Sequence, residues 1–162
     1  MQITSRATAK NRLLAALPER DLVHLLADFE SIDLIFADVV CLRGDRIRHV
    51  YFPTASFISL VAPVDDNAGL EVGMIGSEGM FGVGLLLGVD ISPMHALVQG
   101  EGPALRMNAK QFLRALDRER RQKAYGGAGL DRIHQEFGKG PQIEATHRQR
   151  QLLDRVFSLG HG

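Results

Sequence analysis

Residues 73–88, GMIGSEGMFGVGLLLG, hold six glycines in sixteen positions and are the first place to look for chemistry in this sequence. A glycine-rich turn that opens a helix presents backbone N–H groups to an anion. The run is not a P-loop, since no lysine follows the glycines and G-x-x-x-x-G-K-[ST] is absent. Glu71, Glu78 and Asp90 put carboxylates near it, but no nucleophile or base is grouped with them. The histidines (His24, His49, His95, His134, His147 and His161) form no i, i+4 pair, no H-x-H spacing and no pair with a cysteine. Neither a structural zinc site nor a cupin-like metal enzyme is therefore expected. Cys41, the single cysteine, lies in the apolar run DVVCL with no lysine or histidine beside it, which points to packing rather than to a reactive thiol. The expectation is a protein that is not an enzyme, with no catalytic residues, no metal and no cofactor.

Composition narrows the class further. A chain of 162 residues with 45% apolar and 23% charged side chains is suited to one folded domain of ordinary size. Nineteen basic residues balance nineteen acidic ones, so no overall field draws the chain to nucleic acid or membrane. The opening MQITSRATAKNR lacks the apolar centre of a secretion signal, and no apolar run reaches the length of a membrane span. A cytoplasmic protein is expected, with no membrane association.

The elements that must position the glycine-rich run are legible from periodicity. In NRLLAALPERDLVHLLADF the apolar residues recur at three and four, as on an amphipathic helix, and Pro18 divides the segment in two. Asn11 is placed to cap the first helix; the second begins at Pro18, with Glu19 and Asp21 near the positive end of its dipole. From Ser31 the pattern turns to short alternating runs: SIDLIF, DVVCL, RHVYF, SFISLVAPV, LEVGMI, HALVQ and ALRM. Turn residues separate them at Arg43-Gly44-Asp45, at Asp65-Asp66-Asn67-Ala68-Gly69 and at Gly100-Glu101-Gly102-Pro103. About seven strands at a spacing near ten residues predict a sandwich or jelly roll. A further helix, capped by Asn108, follows through Leu116.

Four pieces, NRLLAALPERDL, IRHVYFPT, LEVGMIGSEGMFGVGLLLG and HALVQGEGPALRM, in this order and spacing, resemble the sensor domain of the Crp/Fnr superfamily of bacterial transcription regulators. The resemblance spans about residues 11–116. It implies a mainly β fold with flanking helices, a cyclic-nucleotide-binding-like double-stranded β-helix or jelly roll. In the nucleotide-binding members a phosphate-binding cassette follows the β-roll: a Phe-Gly-Glu turn enters a short helix facing the cyclic phosphate, and an Arg-Ser-Ala-like stretch supplies the cation. On that pattern the degenerate cassette comprises Phe81, Gly82, Val83, Gly84, Leu85, Met94, His95 and Ala96, with Val83 at the glutamate position and Met94 at the arginine.

Methionine has none of the bidentate donor geometry of arginine. Each lost charge-assisted bond costs about 1.5–3 kcal/mol, so the two together weaken binding by roughly two to four orders of magnitude. Cyclic nucleotide recognition in the usual mode is not expected, and His95 alone could restore some positive charge. The glycines then have structural duties: a tight turn with positive φ at Gly76 and Gly79, and close backbone approach at Gly82 and Gly84. A rival expectation keeps a pocket there for a different, more apolar small molecule.

Residues 1–116 form the expected β-roll domain with its N-terminal helices, and residues 117–162 a polar tail. The tail carries nine Lys or Arg against six Asp or Glu, with a single short amphipathic stretch near 149–157. The family's long dimerisation helix and helix-turn-helix find no counterpart in it. The expectation is a relative truncated before its DNA-binding half, through a shifted reading frame, with no DNA-binding residues and no specific hold on DNA. Its expected partners are a second copy of itself or a related full-length regulator, met through the glycine-rich turn and the helix from Asn108.

Overall fold

The computed structural model of the chain describes residues 10–64 and 67–124. Two short helices, α1 (Arg12–Ala15) and α2 (Glu19–Leu26), precede five strands: β1 (Glu30–Leu34), β2 (Val39–Cys41), β3 (His49–Pro53), β4 (Phe57–Val64) and β5 (Asn67–Ile75). A 3-10 helix (Val83–Leu87), β6 (His95–Gly100), β7 (Gly102–Asn108) and the helix α3 (Ala109–Ala124) complete it. Each of the seven alternating runs in the sequence thus contains a strand. Ile35 and Phe36, which close the first run, lie beyond β1 and are exposed.

All pairings are antiparallel and form two sheets, one of order β1-β7-β3 and one of order β2-β6-β4-β5. Early strands pair with late ones, β1 with β7 and β2 with β6, which wraps the chain into a jelly roll. The period-two pattern explains the burial: Val50 and Phe52 of β3 and Ala96 and Val98 of β6 point inward and share one core with Ile58, Leu60, Leu105 and Met107. Each large apolar side chain fully buried there contributes roughly 1.5–3 kcal/mol.

The helices are tied to this roll by specific bonds. Asn11, fully buried, caps α1 by accepting from the N–H groups of Leu13 and Leu14. Its amide also donates to the Pro53 carbonyl at 2.8 Å and the Gly79 carbonyl at 3.0 Å, so one side chain joins helix, β3 and the glycine-rich turn. The Arg12 N–H donates to Ser77 O at 2.7 Å. α2 begins directly after Pro18 with Glu19 and Asp21 in its first turn. Asn108 caps α3 through the Lys110 N–H, and Phe112 packs its ring on Phe52 and thereby on the phenyl-rich underside of the roll, where Phe29 meets Phe52 edge-on.

Two features depart from the sequence reading. α3 does not close at Leu116 but runs on to Ala124. Arginine, glutamine, lysine and alanine are good helix formers, and the run of charged residues from Asp117 to Lys123 disguised the continuation. Gly76 and Gly79 do not take positive φ; among the glycines that role falls to Gly44, Gly82, Gly88 and Gly102. The turn residues Asp65 and Asp66 and the tail from residue 125 on, with its three histidines and the amphipathic stretch near 149–157, lie outside the described residues.

Candidate functional site

The glycine-rich run leaves β5 through a turn in which Gly79 N–H donates to Gly76 O at 3.1 Å and the Glu78 carboxylate accepts from Gly76 N–H at 2.9 Å. Phe81 then exchanges two backbone hydrogen bonds with Tyr51 of β3, at 2.8 and 3.2 Å. Gly82 turns the chain with φ of 99°, and a Cβ there would stand 2.8 Å from Val50 Cγ1, so both conformation and space demand glycine. The 3-10 helix starts at once, with no side-chain cap, and ends at Gly88 with φ of 77°. Inside it the Leu85 N–H is already used on Gly82 O at 3.0 Å.

The return to β6 is held against the loop after β2. Gly44 N–H donates to Ser92 O, Ser92 N–H to Asp45 O and Ile47 N–H to Asp90 O, at 2.7–2.8 Å. Ser92 Oγ donates to Met94 O at 2.7 Å, which sets the chain direction into β6.

These elements bring five of the eight predicted residues to one place. Phe81, Gly82, Val83, Gly84 and Met94 line a cavity of about 40 Å³. The other three stand elsewhere. Leu85 is buried in the core, Ala96 points to the core opposite Leu60, and His95 faces away, its Nδ1 accepting from the Arg43 N–H at 3.2 Å. His95 is therefore not presented to an anion in the cassette. Sequence reasoning missed Ile47, Leu60, Val89, Ser92 and Pro93, which complete the lining. Leu60 was readable as an inward strand position, whereas the others come from loops whose approach no local pattern encodes.

Among the described residues no charged side chain lines this cavity. The ion pair at its margin, Arg46 with Asp90 at 3.3 Å, is solvent-exposed and turned to itself. Of the other carboxylates near the run, Glu71 accepts from the buried Ser59 hydroxyl and Glu78 is engaged in its own turn. Among the described residues no three of His, Cys, Asp and Glu gather as a metal site would need. Burial pushes the Cys41 thiol pKa up, with Ser92 opposing and Asp45 adding to the shift, so the unreactive thiol form is favoured.

No protein-family model and no curated protein sequence matches the chain. Solved structures match its shape. A mutant regulatory subunit of a cAMP-independent protein kinase A from Trypanosoma brucei, bound to cAMP in its A site, superposes with a TM-score of 0.65 at 14% identity over 89% of this chain and 49% of that one. The N-terminal domain of a transcriptional regulator from Streptomyces coelicolor A3(2) gives 0.53 at 19% identity, covering 72% and 92%. The c-di-GMP responsive global regulator CLP of Xanthomonas campestris gives 0.59 at 18% identity, covering 85% and 65%.

The chain therefore has the cyclic-nucleotide-binding jelly-roll fold, and the structures that share it include bacterial transcription regulators. It spans about half the length of the trypanosomal subunit. No DNA-binding domain occurs among the described residues, and none of their helices is long and apolar enough to cross a membrane.

Proposed function

We propose that this chain is a non-catalytic regulatory module that keeps the sensor fold of transcription regulators but has lost cyclic nucleotide recognition in the usual mode, and that it acts by protein association. What supports the reading is the small cassette cavity of about 40 Å³, lined by Val83 and Met94, which the resemblance sets at the positions of a carboxylate and a guanidinium. That space suits one or two water molecules, whereas small-molecule sites run to about 300–1,000 Å³. The same volume weighs against the rival expectation of an apolar metabolite in this pocket. Association is supported by apolar side chains left in solvent on the cassette and on α3: Leu87 is 51% exposed, Ile91 41% and Leu113 37%. Their partner is a second copy or a related full-length regulator, and the consequence is modulation of transcription without a bound nucleotide.

Titration calorimetry with cyclic AMP and cyclic GMP, paired with sedimentation velocity over a range of protein concentrations, tests the reading. No saturable heat is expected at millimolar nucleotide, together with self-association, or mass-shifting capture of the related regulator, that L87E/L113E abolishes. Saturable nucleotide binding, or a chain that stays monomeric and captures no regulator, overturns it.

A further inference from the structure

A second and larger cavity, of about 230 Å³, lies where α1, α2 and α3 meet β3. It shares no lining residue with the cassette cavity. Leu14, Leu17, Leu25, Phe52, Phe112 and Leu116 give it apolar walls. Polar residues also line it: the Asp28 carboxylate accepts from the Gln111 amide at 3.2 Å, and His24, Arg114 and Arg118 stand beside them, whereas Asp21 lacks such a partner. Asp21 lines the cavity and is only 7% exposed, and its Oδ2 is fully buried without a hydrogen-bond partner among the described residues. Its other oxygen, Oδ1, meets only the outward-lying Arg20 guanidinium, at 3.5 Å.

A buried carboxylate oxygen without a donor is rare in folded proteins and asks for an explanation. Asp21 does sit in the first turn of α2, where negative charge is favourable. That accounts for an acidic residue at this position but not for a buried oxygen without a donor beside a largely apolar cavity. A ligand with a donor at one end of a hydrocarbon body supplies what is missing: the body fills the space and the donor meets Oδ2 as a charge-assisted hydrogen bond. An engineered cavity of about 150 Å³ holds benzene, so the space here takes a body of roughly nine non-hydrogen atoms on the same scale. His24, Arg114 and Arg118 also border the cavity, and an anionic amphiphile could meet the two exposed arginines at its rim. Such a ligand would leave Asp21 facing hydrocarbon, so the buried oxygen decides for a cation.

We infer that the cavity between the helices and β3 is a binding site for a small apolar primary amine, with Asp21 as the residue that receives the ammonium group. The test uses the full chain and 4-phenylbutylamine, with 4-phenylbutyrate and butylbenzene as the anionic and neutral counterparts, read by calorimetry and by thermal shift. The amine is expected to bind saturably and at least about tenfold more tightly than either counterpart, the least that one hydrogen bond to a charged group gives. D21N should lower the affinity for the amine by about ten- to a hundredfold. A115F, which fills the wall from α3, should abolish binding. Absence of saturable amine binding by the unmodified chain, equal binding of amine and acid, or unchanged affinity in D21N overturns the assignment. The comparison of the three compounds needs no variant, and sedimentation of the same preparation reports separately on association through Leu87 and Leu113.

Discussion

Replacing Asn11 should unlock the helices from the roll, and the cost follows from its four bonds. As a surface N-cap, asparagine is worth about 1 kcal/mol over alanine, and aspartate serves equally well. Here the side chain also donates to two carbonyls, those of Pro53 and Gly79, from a fully buried position. Each of those bonds adds about 1 kcal/mol, and more if its carbonyl is left unsatisfied. N11A should therefore cost about 3 kcal/mol. N11D keeps the acceptor for Leu13 and Leu14 but turns a carboxylate oxygen toward two carbonyl oxygens at 2.8 and 3.0 Å, so it should cost at least as much. With a urea dependence of about 2 kcal/mol per molar, either variant lowers the unfolding midpoint by roughly 1.5 M. Equilibrium unfolding followed by far-ultraviolet circular dichroism reads this directly. If N11D unfolds within about 0.5 kcal/mol of the unmodified chain, a difference typical of an innocuous surface change, Asn11 is only a cap and the joint described here is wrong.

M94R puts a guanidinium into a nearly fully buried position among Ile47, Leu60 and Phe81 with no carboxylate lining the space. It should lose about 3 kcal/mol in the same assay and gain no affinity for cyclic AMP; restored nucleotide binding would show the cassette to be open. Cys41, buried and with its thiol pKa raised, should resist a disulfide reagent in the native state and react fully in denaturant; prompt native labelling would place it at the surface. Stability should fall on acidification. Arg106 holds the Glu30 carboxyl below its ordinary 4.5, and burial together with Arg106 holds His49 below 6.5. In both cases the unfolded chain takes up protons first, so the associated stability is complete above the ordinary value and is lost as pH drops below it. E30Q should flatten the urea midpoint below pH 4.5 and H49Q between pH 6.5 and the lower folded value, and an unchanged pH profile in both would contradict these environments.

What could be read from the chain alone was what local pattern encodes. The strands announced themselves by alternation, Pro18 by its fixed φ, and Asn11 and Asn108 by their place before apolar helical residues. The cassette positions came from likeness of sequence, and five of them do meet. Contacts between distant segments stayed hidden. Nothing near Asn11 betrays that its amide reaches residues 42 and 68 positions away. Gly82 has a positive φ and Val50 of β3 packed against it, while Gly76 and Gly79, in an equally glycine-rich context, do not take positive φ. Asp21 looked like an ordinary first-turn acid. Its spacing from Leu17, Leu25 and Asp28 does set it on their side of the helix, which was the one available hint that it faces inward.

The paired bonds between Tyr51 and Phe81 fasten the start of the cassette to the three-stranded sheet, while Met94 leads directly into the four-stranded one. The cassette is thus a clasp between the two sheets, and its placement belongs to the main chain as much as to Val83 or Met94. Exchanging side chains would leave the latch fastened. Slow amide exchange at Phe81 is the expected signature of that fastening.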